Sequence, residues 1–171
     1  AKAVDYAVAK NMMAGVAKDK FEPQTTASRA MVVQMLYAMA GKPEAASAGF
    51  ADVKDGDWYA KAVGWAKENN IVGGMSETAF APNQAITREQ LAVILYGYVK
   101  SQGGGFQGTW MFSMDFSDVD QIHDWANVAM HWCVMKGLFS GKDGGKLDPL
   151  GGATRAELAQ VMMNFCELDV K

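Results

Sequence analysis

Four apolar residues at i, i+3, i+4 and i+7 follow a Ser/Thr-Arg pair three times along this chain. Val32, Met35, Leu36 and Met39 form the first stripe, Leu91, Ile94, Leu95 and Tyr98 the second, and Leu158, Val161, Met162 and Phe165 the third. That spacing puts each set on one helix face, so helices are predicted to begin at Ser28-Arg29, Thr87-Arg88 and Thr154-Arg155. Ser28, Thr87 and Thr154 are good N-caps, and Gln90 and Glu157 complete a capping box in the second and third copies. A further helical pattern precedes two of these pairs: Trp58, Ala62, Trp65 and Ala66, then Trp125, Val128, Ala129, Trp132 and Cys133. These first helices end near Asn70 and Gly137, residues that suit a left-handed C-terminal position.

Alignment on the arginines, at offsets of 59 and 67 residues, extends the repetition. Pro23, Pro82 and Pro149 stand six residues before the arginine, and Phe21, Phe80 and Leu147 two before the proline. Gly15, Gly74 and Gly141 stand eight before it, and the aromatic Tyr6, Trp65 and Trp132 seventeen before it. Met12-Met13, Ile71-Val72 and Leu138-Phe139 form an apolar pair after each first helix. The section from that pair to the proline is too short for an independent sheet and reads as a loop with two very short strands.

The three units are residues 1–40, 50–100 and 116–171, joined by an Ala/Gly/Ser-rich linker from Gly41 to Gly49 and a Gly-rich one from Ser101 to Met114. Trp110, Met111 and Phe112 in the second linker are expected to pack back on the body. Phe50-Ala51-Asp52-Val53 and Phe116-Ser117-Asp118-Val119 lead into the second and third units, with Asp57-Trp58 and Asp124-Trp125 after them; the third has one extra residue between its valine and its tryptophan. The first unit lacks this lead-in and opens inside its first helix, as a fragment of a longer protein would.

The helix dipole favours acids, not bases, at a helix N-terminus, so an arginine there needs another reason. Free backbone N–H groups beside a guanidinium fork make a carboxylate or phosphate receptor. The alternative is that each arginine pairs with a neighbouring acid and staples the units together.

The 171 residues, 50% hydrophobic and 20% charged, can bury a real core, and no apolar run is long enough to span a membrane. A net charge of −3 argues against a nucleic-acid partner. Cys133 and Cys166 fall on apolar helical positions and read as buried thiols, although a disulfide between them stays open. The twelve methionines read as core filling. His123 and His131 occur in the third unit alone, with no repeated partner for catalysis. Asp52, Asp55 and Asp57 echo a calcium loop without its downstream glutamate, and no Gly-rich Lys-Ser/Thr loop exists. No metal, cofactor or catalytic set is therefore expected.

Phe-x-Asp-Val, Trp-Tyr, the glycine turn, Phe-x-Pro and Thr-Arg-Glu together resemble the S-layer homology domain, here as three tandem repeats. The second unit resembles it almost throughout, the third well, and the first from its helix onward. The resemblance implies an all-α fold: three helix-loop-helix pseudo-repeats in a pseudo-threefold arrangement around a central three-helix bundle, with short β-turn segments in the loops. It also implies a non-catalytic wall anchor, extracellular and part of a larger surface protein, with no membrane insertion. Its partner would be a bacterial secondary cell wall polysaccharide, typically a pyruvylated N-acetylmannosamine, held in grooves between repeats.

Carried over by position, the motif arginines are Arg29, Arg88 and Arg155 and the lead-in aspartates Asp52 and Asp118. Trp58, Trp125, Gly74 and Gly141 join them as groove residues. With two aspartates for three arginines, one groove should be weaker or empty. A ketal-bound carboxylate suits an arginine fork, sugar faces suit tryptophan, and loss of one arginine contact should cost about 2–4 kcal/mol. A helical protein-interaction scaffold, or direct binding to modified peptidoglycan, are the rival readings.

Overall fold

A computed structural model describes residues 2–14, 21–109 and 111–168. Its helices are α1 (Lys2–Ala9), α2 (Arg29–Met39), α3 (Ala60–Glu68), α4 (Arg88–Ser101), α5 (Asp124–Met135) and α6 (Arg155–Cys166), with a 3₁₀ turn at Val119–Gln121. Among the described residues the expected tiny strands are only isolated bridges, and no helix is long and apolar enough to cross a membrane.

The second helices begin where the Ser/Thr-Arg pairs predict, because each cap is satisfied. The hydroxyls of Ser28, Thr87 and Thr154 accept the backbone N–H three residues on, at 3.3, 3.2 and 3.1 Å. Gln90 and Glu157 return the bond to the Thr87 and Thr154 amides. The first copy is boxed as well: the Met31 sulfur accepts the Ser28 N–H at 3.5 Å. The first helices end in left-handed residues, Asn11, Asn70 and Gly137, which turn the chain so that the apolar pair after each is buried.

The packing does not follow the sequence units. Each first helix lies against the second helix of another unit: α1 on α6, α3 on α2 and α5 on α4. Among the second helices, α2 packs on both α4 and α6, while Tyr98 of α4 meets Phe165 of α6 with rings 5.9 Å apart. Trp65 and Trp132 are buried, as their place on the stripe implies; Trp65 lies against Tyr37 and Tyr98, and Trp132 against Tyr96.

Three hydrogen bonds run in a closed ring among the entry segments. Ala27 N–H donates to Ala153, Ala153 to Ile86 and Ile86 to Ala27, at 2.8, 3.1 and 2.9 Å. All three residues are buried, where an unpaired amide would be costly, so each unit completes the backbone of another.

Phe106 packs on Tyr96 and Phe112 stands edge-on to His131. Met111, expected to pack back, is instead 97% exposed; Trp110 and Gly15 lie outside the described residues. Cys133 and Cys166 are free thiols, and burial pushes both pKa values up.

Candidate functional site

Each arginine sits in the first turn of its helix, and its backbone is closed off by a loop from another unit. The Arg29 and Ala30 amides donate to Gln84 and Pro82, those of Arg88 and Glu89 to Gly151 and Pro149, and those of Arg155 and Ala156 to Thr25 and Pro23. The free N–H groups expected at these termini are thus already taken, by the proline loops and the cap hydroxyls. The guanidinium groups alone are left to meet a ligand.

These side chains are buried: Arg29 is 5% exposed, Arg88 6% and Arg155 3%. In each, Nε donates at 2.9 Å to the carbonyl of the apolar residue two before the proline: Phe80, Leu147 or Phe21. An aromatic ring lies under each guanidinium, Phe80 under Arg29 at 4.8 Å and Phe21 under Arg155 at 4.5 Å. The third unit has Leu147 at that position, and Phe139 of the apolar pair supplies the ring under Arg88 instead, at 4.9 Å. One edge of the fork is therefore a staple, but to carbonyls and rings; none of the three arginines forms an ion pair among the described residues.

The other nitrogens divide the sites. Arg155 uses both, Nη2 on the Ala14 carbonyl at 2.7 Å and Nη1 on the Met31 sulfur at 3.5 Å. Arg88 uses Nη2 on the Ser140 carbonyl at 3.2 Å. Neither Nη of Arg29 has a partner among the described residues. Burial lowers the pKa of all three; Asp52 opposes that for Arg29 and Glu22 for Arg155, while Glu157, Asp148 and Asp118 all do so for Arg88. Arg29 is thus a buried cation with little compensation and two unused nitrogens.

Arg29 opens on a cavity of about 340 Å³ built by three units. Its wall is Ile71 to Met75 with Gln90, Val93 and Ile94 of α4, and Trp125 from α5 stands at its edge, 57% exposed. Gly74 is in this wall at φ +84°, where a Cβ would lie 2.8 and 2.9 Å from the Ser76 and Ala79 carbonyl oxygens. The corresponding cavity of about 390 Å³ joins Arg155 to Met12, Met13, Met31 and Gln34, with Trp58, 60% exposed, in the place of Trp125. Beside Arg88, adjacent to Gly141, the corresponding wall is charged. Lys142 Nζ stands 2.8 Å from Asp148 and 3.6 Å from Glu157, the residue that replaces Gln90 and Met31.

Asp52 and Asp118 lie outside both cavities. Asp52 accepts the Phe80 and Ala81 amides at 2.9 and 2.7 Å, and Asp118 those of Leu147 and Asp148, each at 2.8 Å. Burial works to raise both carboxyls, but these amides outweigh it and hold them below the ordinary aspartate range. Ala81 and Asp148, each before a proline, are left-handed at φ 57° and 56°, so the aspartates fasten a strained turn. Three roles are missed in sequence reasoning: the rings under the arginines, the place of Met31, Gln90 and Glu157 beside the grooves, and a pairing of His123 with Glu89. The capping-box position pointed to the second of these.

The family model of the S-layer homology domain matches residues 49–92 and 115–159. The chain is 30% identical to an amylopullulanase of Thermoanaerobacterium thermosulfurigenes, over 96% of this chain and 9% of that protein. It is likewise 30% identical to the surface-layer 125 kDa protein of Lysinibacillus sphaericus, over 97% of this chain and 14% of the relative. A cellulosome-anchoring protein of Acetivibrio thermocellus is 29% identical over 80% of this chain and 31% of its own length. The chain thus spans a small part of these curated relatives, and an enzyme name among them belongs to a protein matched over less than a tenth of its length. The chain belongs to the S-layer homology domain family, as a module associated with the cell surface.

Proposed function

We propose that this module anchors a larger surface protein by binding an acidic cell wall polysaccharide, a pyruvylated amino sugar, in grooves between its units. Residues 1–40 serve as a third repeat, and the three units stand in a pseudo-threefold arrangement. The closed ring of hydrogen bonds and the thrice-repeated arginine staple support that reading. Arg29 carries the proposal, as a buried guanidinium whose two terminal nitrogens have no partner among the described residues, beside a cavity edged by an exposed tryptophan. A carboxylate on a sugar ring supplies the missing negative charge, and Trp125 supplies a face for the apolar side of the ring.

In this arrangement Arg29, Gly74 and Trp125 form the principal groove, and Arg155 with Trp58 a second one. Asp52 and Asp118 act at one remove, by holding the turn that places the carbonyl on which each arginine rests. Two grooves on one polymer raise avidity above that of either alone.

The test is retention on purified wall sacculi before and after acid stripping of the polysaccharide, followed by calorimetric titration with a pyruvylated disaccharide. Binding to intact walls, loss on stripping and saturable heat with the disaccharide are expected. Equal retention on stripped walls would point to peptidoglycan instead, and none on either would defeat the anchoring reading.

A further inference from the structure

Glu89 is 2% exposed in the first turn of α4, at a position that is Ala30 in the first unit and Ala156 in the third. A buried carboxylate is costly unless both oxygens are matched. Here Oε2 accepts the His123 backbone N–H at 3.1 Å, and Oε1 lies 2.7 Å from His123 Nδ1. The pair ties α4 to the residue that opens α5, and a carboxylate there selects the imidazole form that carries its proton on Nδ1.

With its edge held, the ring cannot turn freely. Its face stacks on Trp125, centroids 5.5 Å apart and planes 18° from parallel. Trp58, the matching residue of the other cavity, has no stacked partner among the described residues; it meets Tyr59 edge-on at 5.1 Å and 80°. His123 lies in the stretch between valine and tryptophan that is one residue longer in the third unit. The residue two before the tryptophan is His123 here and Gly56 in the second unit, which has no ring to offer.

We infer that Glu89 and His123 are positioning residues that hold the Trp125 indole in place as the saccharide-facing edge of the Arg29 groove. The inference rests on the reading of that groove as a sugar site. A half-exposed indole free to change rotamer must be ordered when a ligand arrives, and prior stacking removes that cost. The Arg29 groove is thereby preorganised and the Arg155 groove is not.

The experiment uses the whole chain, with the Trp125 indole N–H resonance assigned as the one lost in Trp125→Phe. His123→Ala is the main variant, because its side chain is 56% exposed and its backbone N–H still reaches Glu89; Glu89→Gln keeps an acceptor of the same size, and thermal unfolding of both variants checks the fold. In His123→Ala the heteronuclear NOE of the Trp125 indole should fall, and affinity for the pyruvylated disaccharide should drop about three- to ten-fold. In Glu89→Gln both effects should be smaller, and in a Trp125→Ala background His123→Ala should change affinity no further. An unchanged indole NOE in His123→Ala overturns the inference without any ligand present, as does an equal affinity loss in the Trp125→Ala background. Failure of the groove reading looks different: Arg29→Ala would then bind like the unaltered chain while the indole still responds to His123→Ala.

Discussion

The Arg29 and Arg88 sites begin from the same repeat position and end with different electrostatics. Both arginines follow the N-cap of a helix, rest Nε on a neighbouring unit's carbonyl and lie over a phenylalanine ring. Around Arg29 the nearby wall is apolar and neutral, with Gln90 beside it. Around Arg88 three acids share the field, and Lys142 ties Asp148 and Glu157 together. A repeated residue therefore does two separable jobs. The staple depends on the fold and recurs; the ligand hook depends on a few variable neighbours.

The sharpest way to break this comparison is to delete each arginine. Arg29→Ala should weaken disaccharide binding by about 2–4 kcal/mol, or roughly 30- to 900-fold, whereas Arg88→Ala should leave it within a few-fold. Thermal unfolding should show a stability loss in both variants, the larger in Arg88→Ala, which gives up the Ser140 bond as well as the staple. Equal binding losses in calorimetry would show that the grooves are not graded.

Gly74→Ala should destabilise the chain by about 1–3 kcal/mol, since the new Cβ meets carbonyl oxygens and the backbone is left-handed. Gly141→Ala should cost less, because its φ lies outside the left-handed region and its nearest clash is the movable Phe116 ring. Chemical denaturation of the two variants compares them directly.

Glu157→Gln copies the second unit's cap into the third and removes one acid from beside Arg88. Helix stability should be unchanged, and the Arg88 site should gain about 0.5–1 kcal/mol of affinity for the anionic sugar, read in an Arg29→Ala background. No gain would mean that the wall of that groove, and not its charge, excludes ligand.

The smallest effect is a pH dependence shared by both sites. Asp52 and Asp118 have folded-state pKa values below the ordinary aspartate value. Their contribution is present in full above the unfolded pKa of about 3.9 and is lost as pH falls through the lower folded values. Denaturation midpoints should decline in that acid range, and Asp52→Asn with Asp118→Asn should flatten the decline.

The local half of the structure was legible because its causes lie within a few residues. Stripes at i, i+3, i+4 and i+7, a hydroxyl before each arginine, and Asn70 and Gly137 after two of the first helices specify five helices, and the repeat itself supplies the sixth. They also place a cation in three first turns. Even there Met31 was passed over as a cap partner, since a sulfur acceptor is not part of the usual pattern.

What tertiary structure alone decided is which atoms those cations meet. The carbonyls that hold Arg29, Arg88 and Arg155 come from residues 51, 59 and 134 positions away in the chain. The first helices pack across units, so each of the two arginine cavities draws on all three units, and a repeat period cannot say which element of each unit takes part. Periodicity records the face that a helix buries, whereas hydrogen-bond partners across the ring depend on how the units close on one another. For that reason three like arginines could be read from the residues, and their unlike surroundings only from the assembled fold.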